Sequence, residues 1–231
     1  MMLFLFALHA AFSPVGLYAQ TAQAELESSG YSGVVAVYHP ADTSWQGLGL
    51  EEMDEPALPA STFKIFSTLV ALETGVIEGP ESILAWDGVE RSRPETNRDL
   101  SLRDAFRVSA VPHYQHLVRT IGVAQMQHYL DAVGYGNQDL SGGIDQFWLR
   151  GGLRITAREQ IRFLERLYNG DLPFSERTLA MVRDIMVHEL GGPHVIRAKT
   201  GWASPPEQPQ VGWWVGWVEF GSDVWFFATR L

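Results

Sequence analysis

Residues that favour strands gather at the two ends of this 231-residue chain, and helix signals fill the middle. Near the start, Tyr31 to Tyr38 (YSGVVAVY) and Trp45 to Leu50 are short β-branched or aromatic runs parted by a Pro/Asp loop, the pattern of a strand pair. Near the end, Val195 to Trp202, Val211 to Phe220 and Asp223 to Thr229 read as an antiparallel meander, with Gly221-Ser222 as a two-residue hairpin turn. From Ser101 to His188 the punctuation is helical: Ser101 three residues before Asp104, Pro112 at a helix start, Gly122 and Gly134 as stops, and a Thr156 to Glu159 capping box. The arrangement this dictates is α+β: one antiparallel sheet built from N- and C-terminal strands (about 31–50 and 195–229), covered by helices, with an all-α lobe inserted over about 78–190. A crevice between such a lobe and the sheet is where a small-molecule site is expected.

Ahead of the lobe, residues 61–77 carry Ile65, Leu69 and Leu72 on one face, with Phe66 and Val70 nearly completing the circumference. A helix apolar almost all round is a buried one. Lys64 stands in its first turn. It is one of only two lysines among 17 basic residues, the rest being arginine. The other, Lys199, lies in Lys199-Thr200-Gly201 on a late strand, a tripeptide expected by chance only about 0.01 times in such a composition. Residues three apart share a helix face, so the Lys64 amine reaches the Ser61 hydroxyl. Serine is inert near neutral pH until something takes its proton, which an ammonium cannot do. Burial lowers a lysine pKa, and that would leave a base beside a nucleophile. Taken singly, Ser61 reads as an N-cap and Lys64 as a snorkelling side chain; with the second lysine motif the catalytic reading is favoured.

Composition excludes much else. The net charge of −10 offers no general field for nucleic acid, and zero Cys removes disulfide frameworks, thiolate metal sites and a cysteine nucleophile. Residues 1–24 carry no charged side chain, and an apolar run from Leu3 to Phe12 is followed by Ala22-Gln23-Ala24. That run is too short to span a bilayer and suits an export signal, so a single domain over 25–231, periplasmic or secreted and without a stable membrane anchor, is expected. His188-Glu189 begins an HExxH pattern that Gly192 breaks, and His113 and His116 read as a solvated helix face, so no metal site is expected.

Ser61-x-x-Lys64 together with Lys199-Thr200-Gly201 is the signature of penicillin-recognising serine enzymes. With Ser109-Ala110-Val111, Tyr135-Gly136-Asn137 and Phe147-Trp148-Leu149 in this order, the chain closely resembles the class D, oxacillinase-type β-lactamases from about Tyr31 to Phe227. The resemblance implies that Ser61 is the acyl-accepting nucleophile and that Lys64 takes up carbon dioxide, the only cofactor expected, to give a carbamate base held by the Trp148 indole. It further implies that Ser109 and Lys199 pass a proton to the lactam nitrogen, and that the backbone N–H groups of Ser61 and Trp202 form the oxyanion hole. Phe63, Val111, Leu149, Thr200, Gly201 and Trp202 are placed against a β-lactam substrate, with Val111 and Leu149 crowding the carbamate and Tyr135-Gly136-Asn137 a structural marker. Family members continue past the last strand into a carboxylate-binding arginine and a covering helix. Here the sequence stops at Leu231, Arg230 does not match that arginine, and an exposed apolar sheet face is expected. Rival readings are a β-lactam sensor that is acylated without turnover, a D-Ala-D-Ala peptidase on the same fold, and an inactive truncated homologue. The oligomeric state is not legible.

Overall fold

Five successive residues, Val34 to Tyr38, are buried, which is the signature of a strand covered on both faces. In the computed structural model, which describes Ser28 and residues 30–188, 194–206 and 209–231, they belong to β1 (Val34–His39). The apolar opening segment of residues 1–24 lies outside the described residues. β1 pairs with β2 (Ser44–Leu48) as the sequence predicts. A 3-10 turn, Ala60–Thr62, leads into α1 (Phe63–Glu73), of which every residue from Phe63 to Leu72 is buried. Two short strands, β3 (Ile83–Leu84) and β4 (Leu100–Ser101), pair with each other at the base of the helical region.

The helices that follow are α2 (Leu102–Arg107), α3 (Val111–Ile121), α4 (Val123–Val133), α5 (Ala157–Asn169) and α6 (Glu176–Ile185). Their ends carry the chemistry read in the sequence. Ser101 Oγ accepts from Asp104 N at 3.1 Å, Pro112 opens α3, and Thr156 and Glu159 make both bonds of a capping box. α5 lies across β1, β7 and β8 and so covers the sheet. Residues Val187–His188, expected at the tail of the helical block, instead form β5, because Ile196 and Arg197 offer them an open strand edge. β6 (His194–Ala203), β7 (Val211–Phe220) and β8 (Asp223–Arg230) complete a six-stranded sheet of order β2-β1-β8-β7-β6-β5, antiparallel throughout. The first and the last long strands therefore pair inside the sheet, β1 against β8.

The main core fills the space between this sheet and the helices. On other sheet positions Val37, Ile196, Ala198, Trp214, Val218 and Phe227 form a second buried cluster, so the apolar face expected to be exposed is covered at these residues. His113, expected on a solvated face, is 2% exposed and its Nε2 bonds the Arg98 carbonyl at 2.9 Å, tying α3 to the loop before β4. No helix of the described residues is long and apolar enough to cross a membrane.

One end of the sheet is closed by a charge cluster. His39, last in β1, stacks on Trp225 at 4.1 Å, and its ring nitrogens lie 2.7 Å from Asp223 and 3.1 Å from Asp42. Hydrogen bonding to Asp223 and the charge of that carboxylate raise the His39 pKa above its ordinary 6.5. A raised folded-state pKa stabilises the fold below about pH 6.5 and the contribution is lost as pH rises through the folded value. His39→Gln should therefore lower the urea midpoint more at about pH 5.5 than at about pH 8.5. An equal loss at both values would remove the charged clamp from the account.

Candidate active site

Burial of α1 decides the state of its only lysine. Lys64 is 1% exposed, and its Nζ bonds Ser61 Oγ at 2.8 Å. The Tyr114 ring lies 5.2 Å from the same nitrogen. The buried hydroxyls nearby are satisfied by the helix backbone and by one another: Thr68 Oγ1 donates to the Lys64 carbonyl at 2.6 Å and lies 2.8 Å from the Tyr114 hydroxyl. Desolvation above all, then the charges of Lys199 and Arg93, hold the Lys64 amine well below the usual lysine range. Among the described residues no carboxylate reaches this amine to keep it charged.

Ser61 does not serve as a side-chain N-cap, since neither the 3-10 turn nor α1 has a side-chain cap bond. Its hydroxyl is left for Lys64. The turn is set by its neighbours: Ala60 takes a left-handed φ of 51° and donates its N–H to the Trp148 carbonyl at 3.0 Å. Such a backbone costs a residue with a Cβ about 1–3 kcal/mol and is a mark of functional sites. Gln160, fully buried on α5, donates to Thr62 Oγ1 at 2.8 Å, and Thr62 Oγ1 donates to the Pro59 carbonyl at 2.6 Å. The Trp213 indole on β7 holds the Leu58 carbonyl at 2.8 Å. The Ala60–Thr62 turn is thus fixed from the sheet and from α5 at once.

The second lysine approaches from β6. Lys199 is 5% exposed, and its Nζ donates to Ser109 Oγ at 3.0 Å and to the Thr200 carbonyl at 2.9 Å. The Phe106 ring lies 5.5 Å away. Burial, then the Arg93 charge, lowers its pKa to about 7. Ser109, in the link between α2 and α3, also has a left-handed φ, 57°. Beyond Ile196 and Arg197 the outer edge of β6 has no strand beside it among the described residues, and β6 packs on the Ala60–Thr62 turn instead, with Gly201 against Pro59 and Thr62. A Cβ on Gly201 would sit 3.2 Å from the Pro59 carbonyl oxygen, Thr62 N and Thr62 Cγ2, so a side chain there would have to push the turn back by a few tenths of an ångström. Thr200 and Trp202 are exposed along this edge, and the Trp202 ring lies over Gly212.

The loop between α4 and α5 supplies the floor. Trp148 is 1% exposed and stacks on Phe63 at 5.4 Å, with Phe147 edge-on to both. Its indole N–H finds no acceptor among the described residues, a costly state for a buried donor. Asn137 braces this loop by donating to the Gly152 carbonyl at 2.9 Å and accepting from Arg154 N at 2.8 Å. Gly136 has a φ of 53°, and a Cβ there would strike the Arg154 carbonyl, so Tyr135-Gly136-Asn137 acts as a structural brace. Leu149 and Val111 are half-buried, Leu149 against the core.

Ser61, Lys64, Ser109 and Lys199 are joined in two pairs, with Thr200, Gly201 and Trp202 along the strand edge. Phe63 is the exception. Expected against substrate, it is fully buried in a ring cluster with Phe66, Tyr135, Phe147 and Trp148, because two residues beyond Ser61 the helix has turned it to the core. Sequence reasoning missed Gln160, Tyr114 and Arg93.

Comparison with known proteins places this geometry. The penicillin binding protein transpeptidase domain matches residues 32–231. Beta-lactamase OXA-48 of Klebsiella pneumoniae is 45% identical over 201 residues, covering 86% of this chain and 75% of the relative. Beta-lactamase OXA-19 of Pseudomonas aeruginosa is 41% identical over 209 residues, covering 90% and 79%. Among solved structures, the class D β-lactamase YbXI from Nostoc superposes with a TM-score of 0.85 at 45% identity, covering 89% of this chain and 86% of that one. The chain belongs to the penicillin-binding transpeptidase family and, within it, to the class D β-lactamases.

A lysine whose pKa burial holds well below its ordinary value works against the fold. Where the folded-state pKa is depressed, the unfolded chain binds a proton that the native state does not, and stability rises with pH until the unfolded lysine titrates near 10.5. Lys64→Met keeps the volume and removes that proton. In buffer freed of carbon dioxide the variant should resist urea better than wild type at about pH 7, and the gap should narrow toward pH 10. A variant less stable than wild type at every pH would mean that the amine is not held neutral.

Proposed function

We propose that this chain hydrolyses β-lactams through an acyl-enzyme on Ser61, with Lys64 carrying carbon dioxide as a carbamate that serves as general base. The observation that carries the reading is a single one: an amine driven toward neutrality by burial, 2.8 Å from a serine hydroxyl that caps nothing. A neutral amine has the lone pair that carbon dioxide needs, and the carbamate, when present, supplies an anionic base for the serine proton and for the deacylating water. The residues fit such a group. Ser61 Oγ lies at the amine, and the Trp148 indole is a buried donor still in want of an acceptor. An acceptor in this layer would relieve the cost that Trp148 now bears.

The remaining roles follow from position. Ser61 Oγ attacks the lactam carbonyl once its proton is taken. The backbone N–H groups of Ser61 and Trp202 lie on the two elements that border the pocket, the nucleophile turn and the free edge of β6, and are assigned to the developing oxyanion. Ser109 Oγ is assigned to the leaving nitrogen, because Lys199, with a pKa of about 7, can give and take a proton beside it. Thr200, Gly201 and Trp202 form the wall along which substrate lies. Val111 and Leu149, half-buried, limit water near Lys64. The charge-free apolar opening supports an export signal over residues 1–24, a domain over 25–231, and a periplasmic or secreted enzyme.

The test is turnover of a chromogenic cephalosporin by the purified protein, with and without added bicarbonate. Many turnovers per Ser61 are expected, and one stoichiometric burst would make the protein a sensor instead. Ser61→Ala and Lys64→Ala should each lower kcat/KM by at least about a thousandfold. Trp148→Phe should lose activity that excess bicarbonate partly restores. A Lys64→Ala enzyme as fast as wild type would overturn the assignment of the base.

A further inference from the structure

The cations of this site are unequal in one respect. Lys64 and Lys199 are buried and can shed their protons, whereas an arginine cannot do so in a protein. Arg93 is the permanent charge near them: it contributes to the low pKa of both lysines. Its guanidinium is anchored by Nη2, which donates to the Val108 carbonyl at 2.7 Å, and by Nε, which donates to Glu95 Oε1 at 2.9 Å. Val108 is the residue before Ser109 and the C-terminal cap of α2. The anchor therefore sets the guanidinium beside the turn that presents the Ser109 hydroxyl to Lys199. The side chain is 53% exposed, and Nη1 has no partner among the described residues. Glu95, 43% exposed, shares only the edge formed by Nε and Nη2.

We infer that Arg93 is a specificity-determining residue, whose free Nη1 edge receives the carboxylate of the substrate. The inference rests on the β-lactamase reading above. In bicyclic β-lactams the carboxylate is borne by the carbon bonded to the lactam nitrogen, and Ser109 is the group assigned to that nitrogen. A substrate placed so brings its carboxylate to the Ser109 side of the pocket, where the guanidinium stands. Lys199 is less suited to hold it. Its Nζ is already engaged by Ser109 Oγ and the Thr200 carbonyl, and above neutral pH its charge is largely gone. In a protein of net charge −10 the local cation also draws an anionic ligand to the mouth.

The experiment compares a penicillin with its methyl ester, which lacks the negative charge, on wild type, Arg93→Gln and Arg93→Lys at about pH 8. The quantity read is the ratio of kcat/KM for acid over ester. A charge-assisted contact predicts that Arg93→Gln lowers this ratio by about tenfold or more, with Arg93→Lys between the two. If Arg93 only caps α2 and steadies Ser109, both substrates suffer alike and the ratio is unchanged in Arg93→Gln, which overturns the inference. Should wild type be acylated without turnover, the hydrolytic reading fails on its own, and the same ratio taken from acylation rates still decides the role of Arg93.

Discussion

Lys64 Nζ is buried, with one hydrogen-bond partner among the described residues, the Ser61 hydroxyl, and the Tyr114 ring 5.2 Å away. Holding an amine in that place requires a helix buried on every side, which is why α1 runs through the core with its first ten residues shielded. It also requires that the neighbouring polar groups not compete. Ser67 and Thr68 turn their hydroxyls back to carbonyls one turn earlier, and Thr62 is drawn away by Pro59 and Gln160. Each of these contacts leaves Ser61 and Lys64 with only one another. The cost is borne in stability, through a desolvated amine, an unpartnered indole N–H and two left-handed backbones at Ala60 and Ser109.

The sheet and the helices contribute different parts. β6 is paired with β7 along its whole length but with β5 only at Ile196 and Arg197, so among the described residues its last residues have no strand on that edge, which lies beside the Ala60–Thr62 turn. Gly201 permits the approach and Lys199 crosses it to reach Ser109. Helices α2 and α3 deliver Ser109 and the Tyr114 ring, α5 delivers Gln160, and the loop braced by Asn137 delivers Trp148. The Ser61–Lys64 and Ser109–Lys199 pairs are thus set by different elements. Arg93, held on the Val108 carbonyl, adds a charge that lowers the pKa of both lysines.

Most of the architecture was legible because it rests on local rules. The strands were marked by β-branched and aromatic runs, and β7 occupies the predicted residues. The caps at Ser101 and Thr156 were marked by their partners three residues on. The helix predicted over 61–77 is shorter than expected, Phe63–Glu73. At its start Ala60–Thr62 is drawn into a tighter turn by the Trp148 carbonyl, and beyond its end Gly75 takes a left-handed φ of 69° that a helix cannot continue. Lys64 beside Ser61 was legible from helix spacing alone. Trp148 was reached only through family resemblance, since nothing local separates it from seven other tryptophans. Arg93 left no trace in the sequence, because its contact with Val108 spans fifteen residues across an irregular loop. Gln160 could have been found: at four and seven residues' spacing from Leu164 and Leu167 it is a polar side chain on an apolar stripe. Phe63 was expected against substrate from its closeness to Ser61 in sequence, but its side chain is turned to the core.

The chain contains only two lysines, which makes its central claim open to direct observation. Lysine labelled with carbon-13 at Cε gives two resonances in the folded protein, assigned by Lys64→Met, and each can be titrated in buffer freed of carbon dioxide. The account predicts that the Lys199 signal moves with a midpoint near 7 and that the Lys64 signal titrates well below the ordinary 10.5. A Lys64 amine that titrates near 10.5, as a solvated lysine does, would contradict it.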